Sequence, residues 1–455
     1  MKNILTTFFT LFLFVSVYSQ EDHSDIFDAP FSSPQDVTET CLSCHEGVDV
    51  DIMKTRHWNW LGDEFVDKNG KTMILGKRNI INNFCIAVPS NWPRCTSCHI
   101  GYGWKDDTFD FTDGNNIDCL ICHDQTGTYK KVPTGAGMPD PSVDLLKVAK
   151  SVGKTRIENC SVCHFNGGGG TGIKHGDMDG SMIHPTENLD VHMGGLGFTC
   201  SSCHAGENHK ILGASHGSLM AGTNHISCEG CHKEKPHKNK ILNDHMNSIA
   251  CETCHIPDFA REEPTKTWWD WSTSGQDKTA ELDEYGMPTY NIKKGDFEWG
   301  KKVIPEYRWH NGQADYYQFG EKIDPAKVVE LNKLSGDIKD AKSKITPFKL
   351  MRGKQIYDSE NNYLIAPKLF GEGGYWKTYD WNSASELGMQ SIELAYSGKH
   401  DFIETEMYWP INHMVPPAEK ALRCTDCHTK KSSARLNWAK LGYEGDPMKK
   451  GGRFE

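Results

Sequence analysis

Sixteen of the 17 cysteines in this chain stand in eight copies of one pattern, Cys-x-x-Cys-His. Two thiols three positions apart can bond to the two vinyl groups of one haem, and the histidine that follows can then ligate the iron. Disulfides explain the pattern poorly because the cysteine count is odd, and structural zinc leaves the repeated histidine unexplained. The sequence therefore predicts eight covalently bound c-type haems. Their cysteines are Cys41, Cys44, Cys95, Cys98, Cys119, Cys122, Cys160, Cys163, Cys200, Cys203, Cys228, Cys231, Cys251, Cys254, Cys424 and Cys427, and their histidines, which define sites 1 to 8 in chain order, are His45, His99, His123, His164, His204, His232, His255 and His428.

Eight irons need eight further ligands, and an iron that reacts with a substrate must keep one position open. Thirteen histidines lie outside the signatures, so their number alone cannot identify an open site. Position along the chain favours seven of them as distal ligands, and any one could instead be a surface or hydrogen-bonded histidine. The seven are His57, His175, His192, His209, His237, His245 and His413; His184, His216, His225 and His400 are reserves, and His23 and His310 rank last.

Two further residues could carry chemistry. Cys85 is the one cysteine outside the signatures, ten residues before Cys95 of site 2, and it reads equally well as a small buried residue or as a reactive thiol. Lys174 follows the run Gly167–Gly170, where glycine allows the backbone to approach a large flat ligand closely. Burial against an iron would favour the neutral amine that can ligate it. Residue type alone favours an ordinary surface lysine.

Seven sites fall between residues 41 and 255, about one every 31 residues, which is too dense for each haem to have its own domain. We therefore predict a mainly α multihaem cytochrome c fold with much irregular structure, organised around eight closely packed haems. Residues 20–256 form the haem-bearing region, 257–423 an aromatic-rich covering region, and 424–455 the eighth site and a solvated tail. Within the covering region the pattern predicts helices at 324–343 and 383–397, and short strands or loops over 348–369.

Residues 1–19 read as a signal peptide, with Lys2 ahead of an apolar run too short to span a bilayer. The sequence thus predicts a periplasmic protein that does not span the membrane. A net charge of −11, made more acidic by haem propionates, argues against nucleic acid as a partner.

Several motifs together resemble the octahaem tetrathionate reductase family of c-type cytochromes. They are the eight sites, Asn83-Phe84-Cys85, Ile173-Lys174-His175-Gly176-Asp177, and Ile249 to Pro257 around site 7. The resemblance implies a periplasmic reductase whose second haem is the active site, ligated by Lys174 with Cys85 beside it, the other seven haems having two histidine ligands. If Lys174 takes one face of that iron and substrate the other, His99 cannot also bind, and its role stays open.

The resemblance also implies a small oxyanion substrate, tetrathionate, cleaved by two electrons to two thiosulfates. Nitrite or hydroxylamine remain open as substrates, and the electrons would come from a redox partner protein or a quinol-linked donor. Two other functions are compatible with the sequence. One is an electron-transfer protein in which every iron has six ligands, and the other is a hydroxylamine or hydrazine dehydrogenase. A calcium site is left undetermined.

Overall fold

The computed structural model describes residues 23–62, 64–66, 70, 72–213, 226–429 and 434–453. The predicted signal peptide and two of the reserve histidines, His216 and His225, lie outside these residues. In the part of the chain that is described, no helix is both long and apolar enough to cross a membrane.

Short α-helices and 3-10 turns carry the haem signatures. The helix α1 is stabilised by a capping box in which Ser33 and Asp36 bond to each other's backbone N–H, and Pro34 supplies a fixed φ at its first position. It packs on α5 and α6 through Val37, Leu120 and Val148. The helices are α1 Pro34–Leu42, α2 Val48–Met53, α3 Arg56–Asn59, α4 Trp92–Cys95, α5 Leu120–His123, α6 Leu145–Lys150, α7 Ile157–His164, α8 Cys200–Cys203, α9 Lys240–His245, α10 Cys251–His255, α11 Tyr375–Thr378, α12 Trp381–Gln390, α13 Cys424–Cys427 and α14 Pro447–Lys450.

The covering region is built on a β-sheet, so the expectation of a mainly α fold is wrong there. Eight strands form one sheet in the order β10-β14-β12-β5-β7-β6, with β8 and β13 also paired to β12. Strands β12 and β14 pair antiparallel from Phe348 opposite Pro410 to Asp358 opposite His400. The strands are β1 Glu64–Val66, β2 Thr72–Ile74, β3 Gly206–Glu207, β4 Lys210–Ile211, β5 Thr265–Asp270, β6 Tyr290–Asn291, β7 Gly295–Gly300, β8 Glu306–His310, β9 Ala314–Tyr316, β10 Val329–Glu330, β11 Asn332–Leu334, β12 Lys344–Asp358, β13 Tyr363–Leu364 and β14 His400–Pro410.

The predicted helix at 324–343 is wrong, because this segment contains β10 and β11 joined to turns. Its aspartates bond to nearby backbone N–H groups: Asp324 accepts from Ala326, and Asp337 accepts from Lys339. Such local bonds compete with helix formation. The helix predicted at 383–397 is present as α12, which begins after its N-cap Asp380 and ends earlier than expected. Strands β12 and β13 occupy much of the stretch predicted as short strands or loops.

The sheet and the haem-bearing region share a hydrophobic core. Trp269, Met351 and Trp409 of the sheet are fully buried against Phe84 and Ile86, which precede site 2. Burying side chains of this size from water stabilises the contact strongly. The sheet therefore fixes the position of the segment that carries Cys85.

Candidate haem-binding and active site

Seven of the eight signature histidines each face one other histidine. A metal–imidazole bond is about 2 Å long and the bonded nitrogen lies about 1 Å from the ring centre, so two imidazoles on opposite faces of one iron have centres about 6 Å apart. The observed separations fit that requirement and identify the residues that would hold seven haems. The pairs are His45 and His23 at 6.2 Å, His123 and His209 at 6.4 Å, His164 and His57 at 6.1 Å, His204 and His413 at 6.3 Å, His232 and His192 at 6.1 Å, His255 and His237 at 6.0 Å, and His428 and His245 at 6.1 Å.

Hydrogen bonds orient several of these rings for metal binding. In each case Nδ1 bonds to an oxygen, which leaves Nε2 for the iron and fixes the ring, as outer-shell partners of ligating histidines do. The partners are the carbonyls of Gly153 for His123 (2.8 Å), Leu212 for His204 (3.0 Å) and Ile241 for His245 (2.7 Å), and the carboxylates of Asp177 for His413 (3.1 Å) and Asp446 for His428 (2.6 Å).

Six of the seven histidines predicted as distal ligands lie in such pairs. His175 does not: its ring packs edge-on against Trp409, 5.2 Å away. His23, ranked last from the sequence, occupies the corresponding place at site 1. It lies on a short 3-10 turn whose neighbour Phe27 is buried with α5 and α6. A lone histidine in a polar segment offers no local signal for this role. His310, also ranked last, packs against Phe348.

Neighbouring sites lie close together, as expected for stacked haems. The thiols of four cysteine pairs from different sites are within hydrogen-bond reach, namely Cys41 and Cys119, Cys98 and Cys163, Cys160 and Cys200, and Cys228 and Cys251. In three further pairs the thiols lie near enough for ionisation of one to raise the pKa of the other, namely Cys122 and Cys160, Cys203 and Cys231, and Cys254 and Cys424. These contacts order the sites 1, 3, 4, 5, 6, 7 and 8, with site 2 beside site 4.

Site 2 departs from this arrangement because its signature histidine is already bonded through Nε2. The His99 ring is fully buried, and its Nε2 lies 2.5 Å from the Trp58 carbonyl. Burial lowers the pKa of His99 to about 3, so the ring is neutral and Nε2–H donates to that carbonyl. No histidine among the described residues is paired with it. The rings of Trp58, Trp60, Trp104, Phe109 and Phe111 surround it at 4.7 to 6.3 Å.

The backbone at site 2 also turns differently. The His99 N–H donates to Thr96, three residues earlier, at 2.8 Å. A three-residue turn winds more tightly than an α-helical one, so the side chain leaves the backbone in another direction. At sites 1, 3, 5, 6 and 8 the signature histidine instead donates to the first cysteine, four residues earlier, with acceptors Cys41, Cys119, Cys200, Cys228 and Cys424.

The loop with Cys85 is strained and anchored to the sheet. Ile86 has a φ of 68°, a left-handed conformation that β-branched residues rarely adopt. The turn is closed by a bond from the Asn82 N–H to the Ile86 carbonyl at 2.9 Å, and the Asn83 amide donates to Met351 of β12 at 2.7 Å. Strain of this kind persists where surrounding structure enforces it, often at functional sites.

The run Gly167–Gly170 brings Lys174 close to the loop that contains Cys85. Gly168 has a φ of +80°, and a Cβ there would lie 3.2 Å from both Phe84 and Ile173. At Gly167 a Cβ would lie 3.0 Å from Cδ of Lys174. Only glycine permits this close approach without displacement. Lys174 thus lies next to the residue that precedes Cys85, with its Nζ 4.8 Å from the ring centre of Trp409.

Three lysines with lowered pKa values lie near the loop that contains Cys85. Burial and the charge of Lys77 lower the pKa of Lys174 to about 7. Burial, opposed in part by Cys85, lowers the pKa of Lys266 to about 6. Lys349 is fully buried and burial holds its pKa well below the usual range; its Nζ donates to the Ile173 carbonyl at 2.6 Å and the Lys174 carbonyl at 3.2 Å.

Sequence reasoning missed Lys266 and Lys349. A signal existed for the second, because Lys349 interrupts the apolar stretch of a strand whose neighbours are buried on both faces. Lys266 stands at an irregularity in the pairing of β5 with β7, and its Nζ lies 3.1 Å from the ring centre of Phe297 and 4.1 Å from that of Trp269. Aromatic faces favour the protonated form of a nearby amine, which opposes the effect of burial on Lys266.

Comparisons with known proteins found a matching family model, a similar solved structure and a related protein sequence. A family model described as bacterial cytochrome c matches residues 266–431. A crystal structure of an octahaem cytochrome c from Shewanella oneidensis superposes with a TM-score of 0.89 at 51% sequence identity, covering 94% of this chain and 98% of that chain. An uncharacterised protein from Archaeoglobus fulgidus is 27% identical over 240 residues, which are 42% of this chain and 80% of that protein. The structural likeness extends through the covering region as well as the haem-bearing region.

Proposed function

Because the chain belongs to the octahaem c-type cytochrome family, we propose that it is an exported, periplasmic reductase with eight haems, in which site 2 reduces a small oxyanion. One observation carries the proposal: seven signature histidines have a second imidazole opposite them, and His99 is bonded through Nε2 to Trp58. Bound c-type haems supply electron transfer over short distances and, at site 2, an iron with a position open to substrate.

Lys174 is the residue that would hold the haem of site 2. A lysine can donate its lone pair only when neutral, and its lowered pKa keeps a large neutral fraction at pH 7. Lys349 positions it by donating to the Ile173 and Lys174 carbonyls. The buried amine and its fixed backbone are the features that a ligand of this kind requires.

The other lysines suit an anionic substrate. An oxyanion beside Lys266 and Lys349 would favour their protonated forms, so anion binding would bring protons into a buried place. Cys85, next to Phe84 in the same loop, would orient the anion through its thiol. Tetrathionate, cleaved by two electrons to two thiosulfates, is the substrate that the family resemblance suggests, and nitrite and hydroxylamine are the alternatives. A redox partner protein or a quinol-linked donor would supply the electrons.

Steady-state reduction of tetrathionate, nitrite and hydroxylamine by a viologen donor tests the proposal. Lys174→Ala should abolish turnover, since site 2 loses its ligand, while the haems of the other sites are reduced normally in the optical spectrum. Lys327→Ala, which changes an exposed lysine paired with Asp324, is the matched control and should retain full activity. Undiminished activity in the Lys174 variant would remove the assignment.

The same measurements separate the two rival functions. A protein that only transfers electrons would reduce none of the three compounds and would show no high-spin ferric signal. A dehydrogenase would oxidise hydroxylamine or hydrazine faster than it reduces any oxyanion. The bond from His99 Nε2 to Trp58 favours the reductase over the six-coordinate electron-transfer protein.

A further inference from the structure

A buried ion pair that the proposed function does not use lies directly behind His99. The Lys131 ammonium and the Asp118 carboxylate are 2.8 Å apart, and their side chains are 5% and 0% exposed. Lys131 also donates to the His99 carbonyl. A buried ion pair gains little stability over two apolar side chains of similar size. We therefore interpret this pair as one that positions neighbouring groups.

The carboxylate of this pair is fully satisfied. Asp118 accepts from the Tyr102 hydroxyl at 3.0 Å, the Tyr129 hydroxyl at 2.8 Å and the Ile121 N–H at 3.1 Å. Networks in which every partner is bonded make a buried site rigid. Lys131 is therefore held in one position, and through it so is the His99 carbonyl.

The segment that follows Lys131 closes over the histidine. Gly103 and Trp104 donate to the Ala136 carbonyl at 2.9 and 3.1 Å. A Cβ on Gly137, whose φ is +86°, would lie 2.0 Å from the Gly101 carbonyl, and one on Gly101 would lie 2.8 Å from the His99 ring. The loop and the ring are thus in close contact, so the position of one constrains the position of the other.

We propose that Lys131 is the positioning residue that keeps His99 away from the iron of site 2. By fixing the His99 carbonyl it maintains the three-residue turn in which Nε2 bonds to Trp58. Without that contact the backbone can adopt the four-residue turn of the other sites, and the imidazole can then compete with substrate for the open position. This proposal rests on the proposed function in one respect, that site 2 holds an open iron.

The variant Lys131→Met with Asp118→Asn tests this without leaving a buried charge unpaired. The readout is ferric electron paramagnetic resonance of the holoprotein, with haem content and melting temperature recorded in parallel. We expect the high-spin signal of one haem in the unmodified protein to be lost in the double variant, and to return when His99→Phe is added. Lys131→Gln with Asp118→Asn should keep the signal, because the amide can still donate to the carbonyl.

Lys130→Met is the control, since Lys130 is exposed and lies one residue away. A full high-spin signal in the Lys131→Met double variant would overturn the proposal and leave the role of Lys174 intact. Loss of haem incorporation both with and without His99 would also overturn it, by making Lys131 a general folding residue. Absence of the signal from the unmodified protein would refute the open site itself, and with it this proposal.

Discussion

Sites 2 and 4 carry the same five-residue signature and touch each other. Only the histidine of site 4 faces a second histidine, whereas the histidine of site 2 bonds to a backbone carbonyl. Cys98 of site 2 and Cys163 of site 4 are in contact, and helix α3 serves both sites. On that helix His57 faces His164 at 6.1 Å, and the next residue, Trp58, accepts the bond from His99. Adjacent positions on one helical turn therefore place an imidazole opposite the histidine of site 4 and a carbonyl at Nε2 of the histidine of site 2.

The difference begins in the local helix. Site 4 ends a regular eight-residue helix, α7, whereas at site 2 the helix α4 stops at Cys95 and continues as the 3-10 turn Thr96–Cys98. The Thr96 hydroxyl lies 2.5 Å from the Trp92 carbonyl and 2.6 Å from the Trp104 carbonyl. A hydroxyl bonded to the carbonyl four residues earlier bends a helix. A motif thus specifies haem attachment, and its surroundings specify coordination.

The largest effect is expected from a substitution that opens site 4 and so removes its difference from site 2. His57→Ala takes away the imidazole opposite His164, so the high-spin ferric signal should rise from one haem to two. The check is quantitative electron paramagnetic resonance of the oxidised protein. His175→Ala is the control, because His175 packs on Trp409 rather than opposite a signature histidine. The opposite result, with a new signal in the His175 variant alone, would reverse the ligand assignment.

A smaller effect is expected from Cys85→Ser, which changes a residue present at site 2 alone. The serine keeps the volume and loses the polarisable, nucleophilic sulfur, so we expect kcat for tetrathionate to fall roughly tenfold to a hundredfold. Steady-state kinetics and a melting curve together provide the check. If Cys85 only fills space, activity would persist and melting alone would change, by about 1 kcal/mol of unfolding free energy.

The smallest effect concerns protein stability and the residue Asp179, which follows Lys174 in the same loop. Asp179 is fully buried, and burial together with Glu263 raises its pKa to about 6. The unfolded chain, with a pKa near 3.9, ionises first, so the free energy of unfolding falls as pH rises from about 4 to about 6 and stays low above. Asp179→Asn should remove this loss and stabilise the protein by up to about 3 kcal/mol at pH 7.

Thermal unfolding at pH 4, 5.5 and 7 measures that effect. At pH 4 the Asp179 variant and the unmodified protein should melt nearly alike, because the carboxyl is protonated in the folded state and still about half protonated in the unfolded chain. Asp110→Asn, an exposed aspartate whose pKa is lowered by Thr112, should show no such gain at pH 7. Equal stabilisation at all three pH values would mean that ionisation is not the cause.

Much of the candidate site followed from the sequence, because its signals are local. Each haem signature is contained in five residues, and Cys85 is marked by being unpaired in the pattern. Lys174 was singled out through the family resemblance of its segment, because residue type alone favoured a surface lysine. The sheet was missed because its aspartate-rich segment at 324–343 mimics a charged helix. Lys349 was missed because its role depends on burial under the Lys174 loop.

The sequence by itself determined where the eight haem-attachment motifs stand and how densely they follow one another. The tertiary structure alone decided which histidine lies opposite each signature histidine, placing His23 rather than His175 in such a pair and leaving His99 bonded to Trp58. The physical reason is that thioether formation depends on residues adjacent in the chain, whereas a second ligand is supplied by whichever imidazole the fold brings to the opposite face. His413 reaches His204 from the far end of the chain, and no local pattern encodes that meeting.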